Sequence, residues 1–116
     1  MDALSRIGRN DLAGKLLLNE DFPGWLYEVR CGATTMWERW DSVRPDGSFD
    51  ESGMNSFNHY AFGAVGDWLL EQLVGIRPAE PGYRTITLQP QLIQGITQAC
   101  ACAPPPTAGC ALRGSA

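Results

Sequence analysis

Ser56-Phe57-Asn58-His59-Tyr60-Ala61-Phe62-Gly63-Ala64-Val65-Gly66-Asp67-Trp68-Leu69-Leu70-Glu71-Gln72-Leu73-Val74 is the stretch that decides the fold class. Phe57, Tyr60, Ala61, Ala64, Val65, Trp68, Leu69 and Leu73 recur at steps of three and four, which gathers them on one face of an α-helix. Asn55 or Ser56 suits the start, because a short side-chain oxygen can accept from the free amides of a first turn. Gly75 and Pro78 end the helix in the usual order. Gly63 and Gly66 keep the opposite face small enough for a second helix to approach. A helix that is apolar or small on most sides needs more than one neighbour. The chain therefore reads as mainly α and as part of a larger helical assembly.

Upstream, residues 1–20 predict one amphipathic helix with Leu4, Ile7, Leu12 and Leu16 near one face, weakened at Gly8 and Gly14. Pro23 suits a first turn, and Trp25, Leu26 and Val29 suit a short helix stopped by Gly32. Pro45-Asp46-Gly47 is a turn signal. Downstream, Tyr83 to Leu88 and Ile93 to Ala99 predict two strands. From Cys100 the chain turns Ala/Cys/Pro/Gly-rich and loses periodicity. Pro104-Pro105-Pro106 cannot serve a central strand, since proline lacks the ladder amide. Residues 100–116 thus predict a low-complexity tail, disordered or read out of frame.

With 116 residues, 44% apolar and 19% charged, the chain is too apolar for a disordered one. No apolar run reaches the roughly 18 residues of a membrane-spanning helix, so no membrane partner is expected. The start lacks the basic-then-apolar pattern of a secretory signal. Net charge is −4, with nine basic residues spread singly, which argues against a nucleic-acid surface. Of those nine, only Lys15 is lysine, a bias that GC-rich coding DNA produces. Cys31, Cys100, Cys102 and Cys110 match no common zinc spacing, and one histidine cannot supply a His-based metal cluster. No cofactor or metal is expected.

The chemistry-bearing residues lie around Met36-Trp37-Glu38-Arg39-Trp40. A carboxylate between two indole rings suits a sugar site: rings pack on the apolar faces of a pyranose and the carboxylate handles protons. The plainer reading pairs Glu38 with Arg39 or Arg44 beside ordinary core tryptophans. His59 is the only histidine. It reads either as a partner for a substrate hydroxyl or as a polar residue at a helix cap. Asp41, Asp46, Asp50 and Glu51 flank turns, where short acids bind local amides or face water. No Ser-His-Asp order and no phosphate-cradling glycine loop is present.

Three blocks add a resemblance. Leu17-Leu18-Asn19-Glu20-Asp21-Phe22-Pro23-Gly24-Trp25, then Gly32-Ala33-Thr34-Thr35-Met36-Trp37-Glu38-Arg39-Trp40-Asp41, then Gly53 to Val65 through Asn58-His59-Tyr60, follow one another as in bacterial α-L-rhamnosidases of glycoside hydrolase family 78. The similarity covers roughly residues 5–99. It implies the last helices of an (α/α)6 barrel followed by the first strands of a C-terminal β-sandwich. Residues 1–78 would be the end of the catalytic barrel and residues 79–99 the start of the β domain.

The resemblance further implies an inverting hydrolase of terminal α-L-rhamnosyl linkages, with a rhamnose-containing glycoside or oligosaccharide as substrate. Glu38 falls on the family's general base and His59 on its rhamnose pocket, with Trp37 or Trp40 beside the methyl-bearing face of the sugar. The family's general acid sits in an Asp/Arg/Glu-rich block far upstream, and these 116 residues hold no such block. The chain is thus expected to be a fragment, inactive without the remainder of its parent chain. Two other readings stay open: a remnant of a different (α/α)6-barrel glycosidase, and a non-catalytic helical interaction module.

Overall fold

The computed structural model describes residues 1–51, 53–103 and 110–115. The chain forms two compact units, one made of Met1–Asp11 with the chain from Gly66 onward, the other of Leu12–Val65.

The expected helix over residues 1–20 is two helices, α1 (Asp2–Arg6) and α2 (Asn10–Leu17). Gly8 lies between them at φ +74, a left-handed backbone that glycine adopts without a Cβ penalty and that ends a right-handed helix. Helix α2 buries Ala13 completely. Helix α3 (Trp25–Arg30) is the expected short helix, and Gly32 follows its cap residue Cys31 at φ +84. The Pro45-Asp46-Gly47 turn also forms. Gly47 N–H donates to Arg44 O at 2.8 Å, and Val43 bridges Phe49 across it. The Asp46 carboxylate accepts from the N–H and the hydroxyl of Ser48, which holds its pKa below the ordinary aspartate range.

The decisive stretch is helical but starts later than expected. It comprises a 3-10 turn at Tyr60–Ala64, helix α4 (Val65–Trp68) and a π-helical stretch at Leu69–Val74. His59 caps it, not Asn55 or Ser56: His59 Nδ1 accepts from the Ala61 N–H at 3.2 Å. Asn55 and Ser56 are committed elsewhere, to Ser42 and Glu38.

In the unit formed by the two ends, Trp68 is 1% exposed and donates its indole N–H to Ser5 Oγ at 2.8 Å. Ser5 Oγ donates in turn to Asn10 Oδ1 at 2.6 Å, so a buried polar ring atom is satisfied by a relay. After Val74 the chain turns at Gly75, where a Cβ would overlap the backbone of Gln89 and Pro90. Strand β1 (Ile76–Pro78) then pairs antiparallel with β2 (Ile86–Leu88), Ile76 opposite Leu88. The predicted strand over 83–88 is thus confined to its last three residues, because Pro81–Tyr83 forms a 3-10 turn.

Strand β3 (Gln98–Ala103) pairs with β4 (Cys110–Ser115), Gln98 opposite Ser115. The strand predicted over 93–99 is thus reduced to its last two residues, Gln98 and Ala99, and the rest of the ladder falls where the sequence predicts a disordered or out-of-frame tail. Backbone pairing needs no hydrophobic alternation, so the missing periodicity did not forbid it. The triple proline and the remainder of 104–109 lie outside the described residues.

Candidate functional site

The Leu12–Val65 unit brings two motif segments side by side. Residues 35–42 run along residues 55–59 in opposite directions, laced by side chains as much as by backbone. Thr35 Oγ1 donates to Phe57 O. His59 N–H donates to Met36 O at 2.8 Å, and Glu38 N–H to Ser56 O at 2.9 Å. At the far end Ser42, completely buried, donates its hydroxyl hydrogen toward Arg39 O and Asn55 Oδ1, both at 2.7 Å, while Asn55 Nδ2 donates to Ser42 O.

Glu38 is half-buried at the centre of this lacing. Its Oε2 accepts the Ser56 N–H at 2.8 Å, the same residue whose carbonyl holds the Glu38 amide. Among the described residues its second carboxylate oxygen accepts no hydrogen bond. Among the described residues no ion pair within 4 Å joins Glu38 to Arg39 or Arg44, although the Glu38 charge does act on Arg39. Arg39 instead spans Asp41 at 3.0 Å and Asp50 at 2.5 Å, and Arg44 reaches Asp50 at 3.2 Å. Asp50 is nearly buried and sits between two guanidinium groups, which offsets the cost of withdrawing its charge from water. The arginines therefore build the floor of the loop, and a peptide amide orients Glu38.

His59 is exposed, with its ring stacked on Tyr60 at 5.7 Å. Because Nδ1 accepts from Ala61, Nε2 is the nitrogen left to face outward as a donor. Trp37 is 6% exposed, its ring edge-on to Phe57 at 5.3 Å, and Phe49 closes on Phe57 at 5.5 Å. Trp40 is less buried. It stacks on Phe62 at 4.8 Å and meets Trp25 edge-on at 4.7 Å. The two tryptophans beside Glu38 thus anchor separate aromatic clusters. The indole N–H groups of Trp25 and Trp40 are buried without a hydrogen-bond partner.

Three residues that the motif reading passed over matter here. Ser42 and Asn55 tie the loop ends, and nothing in their spacing marks them. Glu28 is 3% exposed on α3, and burial pushes its carboxyl up to about 7 while the backbone amide of Trp37 pulls it back as a hydrogen-bond donor. A signal for Glu28 did exist: it lies three residues after Trp25, on the side of the helix that carries the large ring.

Residues 1–73 match the family model described as the bacterial alpha-L-rhamnosidase 6 hairpin glycosidase domain. The chain belongs to this family. An α-L-rhamnosidase of Streptomyces avermitilis is 47% identical over 91 residues, which is 78% of this chain and 9% of that protein. One from Formosa agariphila is 46% identical over 89 residues, 77% of this chain and 10% of that protein. Among solved structures, the Streptomyces avermitilis α-L-rhamnosidase complexed with L-rhamnose superimposes with a TM-score of 0.91 at 41% identity, over 99% of this chain and 11% of that one. The native Aspergillus terreus enzyme gives 0.91 at 40% identity, over 97% of this chain and 13% of that one. The chain spans about a tenth of the length of these relatives. The rhamnosidase match contains Glu38, His59 and all of the lacing between them.

Proposed function

We propose that this chain is the general-base half of an inverting α-L-rhamnosidase active site, with residues 1–78 closing an (α/α)6 barrel and residues 79–99 opening a β-sandwich. The observation that carries the reading is the state of Glu38: one oxygen pinned by the Ser56 amide, the other carrying no hydrogen bond among the described residues. A base that activates water needs a fixed orientation and one oxygen left for the water's proton. Inversion further requires an acid on the other side of the glycosidic bond, with the two carboxyls about 6.5–9.5 Å apart so that water fits between. That acid belongs to the remainder of the parent chain.

His59 presents Nε2 to a rhamnose hydroxyl, its ring fixed by the Ala61 amide and Tyr60. Trp37 and Trp40 wall the pocket on the apolar side of the sugar, Trp40 having the more open ring.

The test is to transplant residues 1–99 into the matching segment of the Streptomyces avermitilis relative. The chimera should hydrolyse an aryl α-L-rhamnoside and release β-rhamnose first, read by proton NMR. A folded chimera inactive on rhamnosides, or active on another sugar, overturns the reading. The 116-residue chain alone should show no hydrolysis and should self-associate on a sizing column. Met54, Tyr60 and Leu92 each keep more than 80% of their surface exposed, apolar area that a barrel partner would cover.

A further inference from the structure

The residue directly after Glu38 is held at both its carbonyl and its side chain. Arg39 O accepts the Ser42 N–H at 3.2 Å, which closes a turn, and the Ser42 hydroxyl at 2.7 Å. The Arg39 guanidinium forks onto Asp41 from Nε and Nη2, each at 3.0 Å, and its Nη1 reaches Asp50 Oδ2 at 2.5 Å. Asp50 is itself gripped at three atoms. Its Oδ2 takes Arg39, its Oδ1 takes Arg44 at 3.2 Å, and its N–H donates to Ser42 O at 3.2 Å. The Asp50 side chain is 6% exposed, against 37% for Arg39 and 48% for Arg44. Burying a carboxylate is costly, and a surface ion pair contributes little to stability. Two guanidinium groups converging on one buried acid therefore fasten a geometry. On the other side of the base, Ser56 holds the Glu38 amide and Oε2. Glu38 thus stands between two anchors, Ser56 and the turn that Asp50 holds.

We infer that Asp50 is a positioning residue for Glu38: with Arg39 as its lever, it sets the turn that aims the base carboxylate. The inference deepens the rhamnosidase reading and rests on it. Asp50 acts on Glu38 through Arg39 and Ser42, and touches no reacting atom. Its charge matters because a guanidinium–carboxylate bond is roughly twice as strong as a neutral one, and the planar fork fixes its direction. Asp41 cannot replace it. Asp41 lies inside the same turn, so its pair with Arg39 moves with the turn and ties it to nothing outside. The Asp50 pair joins the turn to a separate stretch of chain. A reacting group displaced by about 1 Å can lose on the order of a hundredfold in rate. The sugar contact of the proposed site, His59, is fastened elsewhere, by Met36 O and the Ala61 N–H. Loss of the Asp50 charge should therefore reach turnover and spare substrate binding.

The chimera and four of its variants test this, each assayed well below its melting temperature. Asp50→Asn and Arg39→Gln should each lower kcat at least about fivefold, with KM within about twofold. The double variant should lose no more than about twofold beyond Asp50→Asn, because both changes break one bond. Glu20→Gln breaks the exposed Glu20–Arg30 pair and should leave kcat unchanged. Amide exchange of the 36–42 peptide, followed by mass spectrometry, should rise about threefold or more in Asp50→Asn and not in Glu20→Gln. A smaller kcat loss in either folded single variant overturns the inference, and so do losses that multiply in the double variant. Unchanged exchange in Asp50→Asn overturns it whatever the activity. Raised exchange in a folded chimera that hydrolyses no rhamnoside supports the anchoring while sinking the rhamnosidase reading, which keeps the two failures apart. Should Asp50→Asn not fold, Arg39→Gln decides alone on the same limits for kcat, KM and exchange.

Discussion

The described residues between Thr35 and His59 hold their backbone through named side chains, the Thr35, Ser42 and Asn55 groups and the Glu38 carboxylate, as much as through backbone bonds, whereas strands β1 to β4 pair through two backbone ladders. The first arrangement depends on residue identity at each position. Replace the serine or the asparagine and a bond is lost with no substitute. The second depends on little beyond the absence of proline and enough length, since every residue brings its own donor and acceptor. A loop of the first kind can place a carboxylate to within a fraction of an ångström; a short exposed hairpin cannot. This is why the candidate chemistry sits in the loop and the strands carry none of it.

The sharpest break in that comparison is at Glu38. In the chimera, Glu38→Gln should lower turnover of an aryl rhamnoside by at least about a thousandfold, roughly 4 kcal/mol or more in barrier, with folding unchanged by circular dichroism. The amide still accepts from Ser56, so the loop survives while the base is gone. A loss under tenfold in a folded variant removes Glu38 from that role.

The loop was legible chiefly through resemblance: Thr34-Thr35-Met36-Trp37-Glu38 and Asn58-His59-Tyr60 match blocks of the bacterial α-L-rhamnosidases, while composition marked only the carboxylate between two indole rings and the single histidine. The contacts that orient Glu38 were less so. Arg39 and Arg44 lie closest in sequence, yet both turn to Asp50, because a buried carboxylate draws cations more strongly than a half-exposed one that a peptide amide already serves. The helix start was misplaced for a related reason. Asn55 and Ser56 are good caps in isolation, but here tertiary partners take both, and the cap passes to His59. In the ladders the reverse holds. Periodicity finds strands only where one face is buried, and β2 is exposed throughout, so its limits could not be read closely.

A second expected effect concerns pH. Folded Glu28 keeps its proton up to about pH 7, while an unfolded glutamate releases it near 4.5. Between these values the native state binds more protons than the unfolded chain, so stability falls as pH rises through the window and levels off above it. Glu28→Gln should abolish that decline, leaving the variant more stable than the parent at pH 8 by on the order of 1–3 kcal/mol and no more stable at pH 4. Thermal melts across this range measure it, and parallel curves for the two proteins would contradict it.

Next in size is a direct comparison of the two regions. Ser42→Ala deletes a buried hydroxyl shared between Arg39 O and Asn55 Oδ1; Arg39 O keeps the Ser42 amide, and Asn55 Oδ1 loses its donor. It should cost about 1–3 kcal/mol by denaturant melt and slow turnover through the displaced loop. Thr87→Ala, on exposed β2, should cost under about 0.5 kcal/mol and leave turnover alone. Equal costs at the two positions would mean that side-chain lacing is no more demanding than the ladder.

The smallest expected effect sharpens the role of the second aromatic cluster. Trp40 stacks on Phe62 and meets Trp25 edge-on, yet its indole N–H is buried with no acceptor. Trp40→Phe keeps an aromatic face against Phe62 and removes the unpaired donor. The gain from losing that donor and the loss from shrinking the ring oppose each other, so the net stability change should stay within about 1 kcal/mol. On the sugar side, a six-membered ring still offers a flat apolar surface to the rhamnose methyl, and KM for an aryl rhamnoside should rise by less than about threefold. The result therefore separates two kinds of dependence on Trp40. If KM rises tenfold or more at unchanged kcat, the indole N–H is the group that the substrate uses, and its lack of a protein partner is a place held for a sugar hydroxyl. If stability falls by several kcal/mol instead, the cluster belongs with the residue-specific lacing of the loop rather than with general packing behind it.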